Sequence, residues 1–194
     1  MLLKSASLKS ETSISWKTSV FGLASFPFWG AVYAANSLTA TWLHLFRGME
    51  ESYAGAISSA SMLSGFFGGV FGRLYDRTKN KRRLLLYTPI FASIVYLAMP
   101  DTPIEAAPLL VFIYGASFSA YITAVYATVS KVSRNPASAL AVINVINMAL
   151  GLHFSYAFSL LMAFSPTYPW LLLSALAFLS AIATYIVINM LKIY

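Results

Sequence analysis

Six long apolar stretches, each separated from the next by a short polar or charged segment, are the feature that most restricts how this chain can fold. One helix needs about 20 apolar residues to cross a bilayer, so 194 residues leave room for about six helices with short loops. Hydrophobic residues make up 59% of the sequence and charged residues only 10%, unlike a soluble domain. The sequence therefore predicts an all-α integral membrane protein with six transmembrane helices.

The limits of the predicted helices follow from the apolar stretches and their polar boundaries. We place the six spans at residues 18–44, 52–75, 84–99, 104–129, 136–163 and 169–191. Residues 17–194 are expected to form one transmembrane domain, and residues 1–16 a cytoplasmic N-terminal segment. That segment is polar and basic and lacks the apolar core of a removable signal peptide, so the first span is expected to stay in the mature protein.

Two of the predicted helix starts carry capping signals. Asn135 and Pro136 offer an N-cap and a first-turn proline to the fifth span. Thr102 and Pro103 offer the same pair to the fourth span, with Glu105 as the reciprocal partner of a capping box. Both spans are expected to begin at these residues.

The distribution of basic residues predicts how the chain is oriented in the membrane. Of the 13 Lys and Arg residues, all except Arg47 fall in the N-terminal segment, near the loops that follow spans two and four, or at the C-terminus. Lys and Arg in short loops remain in the cytoplasm. Both termini are therefore expected in the cytoplasm of a multi-pass cell-membrane protein. The net charge of +7 belongs to this topology, and no nucleic-acid partner is expected.

The segment between the second and third spans carries the most distinctive pattern in the chain. It reads G-F-F-G-G-V-F-G-R-L-Y-D-R-T-K-N-K-R-R over residues 65–83. It resembles the loop between the second and third helices of the major facilitator superfamily of secondary transporters, written roughly G-x-L-x-D-R-x-G-R-R. The residues in register are Gly72, Leu74, Asp76 and Arg77. Lys79 stands at the family's second glycine, so the turn is expected to form differently, with Asn80 as the candidate.

The resemblance extends along residues 17–191 and implies an architecture and a function. Residues 137–147 are similar to the fifth helix of a facilitator half. The resemblance implies a half-size member made of two inverted three-helix repeats, completed by an identical copy or another six-helix half. Such a protein transports by alternating access. Its first and fourth helices would line the pathway, its second and fifth would form the seam between halves, and its third and sixth would lie outside.

Polar and aromatic side chains recur at helical spacing in the first and fourth spans. The two stripes are Trp29, Tyr33 and Asn36 in the first span and Tyr114, Ser117 and Tyr121 in the fourth. In a membrane such a stripe either joins helices or lines a wet cavity, and we expect these residues to line the substrate pathway. The middle of each span lacks Asp, Glu and Lys, which predicts a small neutral, zwitterionic or amphipathic solute.

The fifth span carries three further candidate residues, Asn144, Asn147 and His153. They are a possible proton or substrate site, although an intramembrane histidine can also be neutral and hydrogen-bonded to a neighbouring helix. The sequence contains no cysteine, no nucleophile elbow and no phosphate-binding loop. Neither enzymatic activity, nor a metal, nor a cofactor is expected.

A row of small residues in the second span, Ser61, Gly65 and Gly69, predicts close helix packing. The contact lies either inside one bundle or between two halves of a transporter. The resemblance also assigns a gating motif to Gly72, Asp76, Arg77 and Arg134. In it Asp76 would reach the start of the fifth helix of the other half, and the simpler alternative is a local pair with a neighbouring arginine.

A second hypothesis comes from a different class of protein. The chain could be a six-helix interaction or assembly subunit that does not transport. Its cavity would then be filled by Trp29, Tyr33, Tyr114 and Tyr121. The oligomeric state in a mild detergent, together with uptake into liposomes, distinguishes the two hypotheses.

Overall fold

The apolar stretches fold as α-helices that begin and end within a few residues of the predicted limits. The computed structural model describes residues 16–193, apart from the side chain of residue 150, so nearly all of the predicted segment 1–16 lies outside the described residues. The helices are α1 (Trp16–Arg47), α2 (Glu51–Leu63), α3 (Gly68–Arg77), α4 (Lys81–Ala98), α5 (Ala107–Val132), α6 (Pro136–Met162) and α7 (Tyr168–Leu191). Helix α1 packs against α6 and α7, α4 against α7 and α5, and α5 against α2.

Within residues 16–193, four helical segments are long and apolar enough to cross a membrane. They are Glu51–Arg77, Ile104–Val132, Pro136–Met162 and Tyr168–Leu191. Helix α1 has 32 residues but is less apolar, and α4 has 18 residues of which the first three are basic. The fold is therefore an all-helical multi-pass membrane domain, and the prediction of six spans stays a prediction.

The second predicted span is interrupted by a 3-10 turn at Ser64–Phe67, between α2 and α3. The hydroxyl of Ser64 donates a hydrogen bond to the Ser61 carbonyl oxygen at 2.5 Å, and so competes for a helix acceptor. The following segment is rich in glycine, which has a low helix propensity. The serine hydrogen bond and the glycines together explain the tighter 3-10 turn at this point.

The two predicted helix starts have different outcomes. Asn135 caps α6 as predicted, because its Oδ1 accepts a hydrogen bond from the Ser138 amide at 3.3 Å, and Pro136 is the first helical residue. The prediction of a capping box at Thr102 is wrong. The hydroxyl of Thr102 instead donates a hydrogen bond to the Ala98 carbonyl oxygen at 2.6 Å. The last carbonyls of α4 have no helical partners and so are free to accept it. A 3-10 turn without a side-chain cap, Ile104–Ala106, then leads into α5.

The helices approach each other closely at glycines outside the predicted row. A Cβ atom on Gly115 of α5 would lie 2.5 Å from the carbonyl oxygen and 2.7 Å from the Cα atom of Ser61 in α2. Gly30 of α1 lies against the ring of Phe154 in α6 in the same way. Ser61 is therefore a packing residue within one bundle, as one interpretation of the row predicted.

Replacing Gly115 by Ala should destabilise the chain by about 1–3 kcal/mol, because its new methyl group meets the backbone of α2. Gly55→Ala in α2 is the matched control, since nothing in the described part of the chain lies within 4 Å of a Cβ atom built on Gly55. This control should be neutral or gain up to about 1 kcal/mol, because alanine favours the helix. Thermal unfolding in detergent, followed by circular dichroism, measures both. Equal melting temperatures for the two variants would contradict the α2–α5 contact.

Candidate functional site

The tyrosines of the predicted α5 stripe are fully buried inside the bundle. The Tyr121 hydroxyl oxygen lies 3.2 Å from Ser180 Oγ and 3.0 Å from Thr184 Oγ1, both in α7. The Tyr114 hydroxyl oxygen lies 3.4 Å from Thr39 Oγ1 in α1. Within one chain these hydroxyls join α5 to its neighbours. A role for Tyr114 and Tyr121 in lining a pathway stays a prediction, and it would require these contacts to open.

The predicted α1 stripe lies where α1 meets α5 and α6. Trp29 is buried with its ring centroid 5.5 Å from that of Phe118 in α5. Tyr33 is half-buried and contacts Gly151 of α6, where an added Cβ atom would lie 3.0 Å from Tyr33 Cγ. Asn36 is half-buried, and its Oδ1 atom is buried without a hydrogen-bond partner among residues 16–193. Asn36 therefore presents an unsatisfied acceptor.

A second face of α5, which we did not predict, remains half-buried and polar. Ser119, Thr123 and Tyr126 follow each other at helical spacing along it. Ser119 Oγ lies 3.1 Å from the hydroxyl of Ser64 in the turn between α2 and α3. The remaining sequence candidate in α5, Ser117, is buried and donates to a carbonyl oxygen of its own helix. The half-buried polar residues of α5 are thus neighbours of the predicted ones.

The fifth predicted span, α6, holds its three candidate residues in different environments. Asn144 Oδ1 accepts a hydrogen bond from the Tyr126 hydroxyl at 2.8 Å, which joins α6 to the polar face of α5. His153 is exposed, and its Nδ1 atom lies 3.1 Å from the Ala149 carbonyl oxygen of its own helix. Asn147 is buried, and its Nδ2 atom has no partner in the described part of the chain. The structure therefore does not bring His153 and Asn147 into one site.

A cavity of about 100 Å³ lies between α1 and α6 beside Asn147. Its walls are mostly apolar, with Gly22, Val142 and Ile143 among them. Thr18 at the start of α1 also lines the cavity, and its hydroxyl, like the Asn147 Nδ2 atom, is buried without a partner within residues 16–193. Two residues with unsatisfied polar groups therefore line one apolar cleft.

The predicted gating residues lie at the ends of α3 and α5. Asp76 and Arg77 are exposed in the last turn of α3, and Arg134 is exposed in the loop before α6. In the described part of the chain Asp76 forms neither a salt bridge nor a hydrogen bond, so the local pair with Arg73 or Arg77 is not formed. The carboxylate is available to a partner outside the described residues.

The loop between α3 and α4 explains how Lys79 can replace the family's glycine. Thr78 is extended, with φ −73° and ψ 117°, and its hydroxyl donates to the Leu74 carbonyl oxygen at 2.7 Å. Asn80 precedes α4 with φ −106° and ψ 84°. In residues 16–193, positive φ occurs only at Gly48 and Lys192. The loop needs no left-handed residue, so a glycine is not required there.

These features together define an all-helical, multi-pass membrane protein. A model of the Major Facilitator Superfamily matches residues 2–155 of the chain. The match includes the gating motif and most of the six predicted spans. The chain therefore belongs to the major facilitator superfamily, as the pattern at residues 72–77 predicted. No curated protein sequence matches it significantly.

Proposed function

We propose that this chain is one half of a secondary transporter, and that it pairs with a second copy of itself to enclose a pathway with alternating access. The proposal includes six spans in two inverted repeats, with both termini on the cytoplasmic side of the cell membrane. Family membership supports secondary transport. A small neutral, zwitterionic or amphipathic solute is favoured because the central turns of the helices contain no Asp, Glu or Lys.

The observation that carries the pairing is an unfilled row of glycines in the second span. Within residues 16–193, nothing lies within 4 Å of a Cβ atom built on any residue of the row, which we define as Gly65, Gly68, Gly69 and Gly72. Phe66 beside it is 86% exposed. Glycine weakens a helix and gains nothing against lipid, whereas it lets a second helix approach closely. The row therefore leaves room for a helix of another six-helix half to pack closely against it.

Three polar groups support a pathway bordered by α1, α5 and α6. The Oδ1 atom of Asn36 and the Nδ2 atom of Asn147 are both buried without partners within residues 16–193. An unsatisfied polar group in hydrocarbon costs several kcal/mol, so water or a solute is expected to satisfy them. Tyr126 offers a further hydroxyl on the half-buried face. Tyr33 is proposed to border the same pathway.

Cysteine accessibility tests the pathway directly. A cysteine at Asn36 should react with a small water-soluble thiol reagent at least about tenfold faster than one at Phe178, because thiolates form in water. Phe178 is the matched control, since it is 47% exposed on α7 but faces lipid in the proposed arrangement. Equal reaction rates at the two positions would contradict an aqueous pathway beside Asn36.

A second candidate function is supported by the burial of the aromatic stripes. Trp29, Tyr114 and Tyr121 fill the bundle of a single chain, as a six-helix interaction subunit without transport would require. Such a subunit would bind a membrane partner and would not move solute. Liposomes that contain only this chain, and take up none of a panel of labelled neutral and zwitterionic solutes, would favour this candidate.

A further inference from the structure

A basic concavity lies at the end of the bundle where α3 is joined to α4. It has a volume of about 510 Å³ and is lined by Lys79, Asn80, Lys81, Arg82 and Lys131. The lining within residues 16–193 contains four cationic side chains and no acidic one. The site therefore offers concentrated positive charge, which favours an anionic ligand.

The ring of Tyr75 holds two of these cations side by side. Tyr75 is only 3% exposed, and the Nζ atoms of Lys81 and Lys131 lie 4.3 Å and 5.8 Å from its ring centroid. A cation over an aromatic face is attracted by the ring. Arg82 in turn donates to Asn189 Oδ1 of α7 at 2.8 Å. These contacts position the cationic groups before any ligand arrives.

An apolar concavity follows further along the same pair of helices. It has a volume of about 390 Å³ and is lined by Tyr87, Thr88, Ile90, Phe91 and Ile94 of α4 with Ser117 of α5. The rise of an α-helix places Ile94 about 18 Å beyond Arg82 along α4. That length is close to the thickness of one leaflet, which is about 15 Å of hydrocarbon.

We infer that the junction of α4 and α5 binds an anionic phospholipid, with its phosphate in the basic concavity and an acyl chain along the apolar concavity. A soluble anion would use only the first of these sites, whereas a lipid uses both. Basic pockets between membrane helices are suited to anionic lipid head groups. The assignment to the cytoplasmic leaflet rests on the proposed orientation, but lipid binding does not depend on transport.

Native mass spectrometry of the full chain in detergent, titrated with phosphatidylglycerol or phosphatidylcholine, tests the inference. Phosphatidylglycerol should bind at least tenfold more tightly. Lys79→Gln together with Lys81→Gln should weaken its binding about 25-fold, at about fivefold for each charge. Lys17→Gln together with Lys192→Gln is the matched control. It removes the same charge from the ends of α1 and α7, outside the concavity, and should change binding less than threefold.

Two further arms distinguish a bound lipid from a bound soluble anion, and lost charge from misfolding. Arginine at both positions 79 and 81 should retain binding within threefold, because it keeps the charge that glutamine removes. Inorganic phosphate at the same concentration should leave bound phosphatidylglycerol in place. Displacement of the lipid by phosphate would identify a soluble-anion site and overturn the inference. So would equal affinity for the two lipids, or unchanged binding in the Lys79→Gln, Lys81→Gln variant.

Discussion

Replacing Gly69 by Trp should strongly weaken the pairing of two chains while each chain remains folded. Gly69 is exposed, and no atom of the described residues lies within 4 Å of a Cβ atom built on it, so a single chain accommodates the indole. In the proposed dimer the same indole would occupy the space of an opposing helix. Overpacking costs about 1–3 kcal/mol at each contact, and twofold symmetry repeats it. The dimer should weaken by about thirty-fold to twenty-thousand-fold.

The matched control for this substitution is Ala175→Trp in α7. Ala175 is also a small, exposed residue within a predicted span, but α7 is expected to face lipid. The Ala175→Trp substitution should leave the proportion of dimer unchanged. Analytical ultracentrifugation in detergent measures the dissociation constant, and circular dichroism confirms the fold. If Gly69→Trp chains pair as tightly as Ala175→Trp chains, the glycine row does not form the interface.

Neutralising Asp76 should shift the paired transporter toward the state open to the cytoplasm. Asp76 has no partner within residues 16–193, and its proposed partner is the start of α6 in the other copy. There the Ser138 amide is already capped by Asn135, which leaves the amide of Ala137 and the guanidinium of Arg134 for the carboxylate. Two such contacts supply about 1–4 kcal/mol, which moves a two-state equilibrium by roughly one to three powers of ten.

The reporter for this shift is a cysteine at Ala127, which is half-buried near the end of α5 that the proposed orientation places in the cytoplasm. In Asp76→Asn it should react faster with a water-soluble thiol reagent, and solute uptake should slow. Asp101→Asn is the control, because it neutralises an exposed carboxylate at the opposite end of the bundle. If reactivity and uptake are unchanged in Asp76→Asn, Asp76 has no gating role and is only a charge at the end of a helix.

Helix positions were predictable from the sequence because they depend on local properties. Apolar length, the cap at Asn135 and the charged loop at residues 77–83 each act within a few residues. The break at Ser64–Phe67 was missed, although its signal was present in a serine that bonds back to the preceding turn and in the glycines that follow. The capping box at Thr102 failed because α4 ends close enough to compete for its hydroxyl.

The direction in which a polar face points was not predictable. Helical periodicity places Tyr114 and Tyr121 on one face, but only the positions of the neighbouring helices decide that this face is buried. Gly115 and Gly69 illustrate the same limit. A Cβ atom on Gly115 would meet another backbone, whereas one on Gly69 would meet nothing within 4 Å among the described residues. The bond between Tyr126 and Asn144 depends likewise on how two helices pack. Tertiary packing, rather than local sequence, determines these parts of the candidate site.

Subunit counting in liposomes, by single-molecule photobleaching of a chain labelled at one cysteine, tests the central claim most directly. The account predicts two bleaching steps for most assemblies, and single steps for Gly69→Trp at the same protein density. Vesicles that contain the two-step assemblies should take up at least one neutral or zwitterionic solute above the level of empty vesicles. Single steps for the unmodified chain, with no uptake from the same panel of solutes, would contradict a transporter made of two copies.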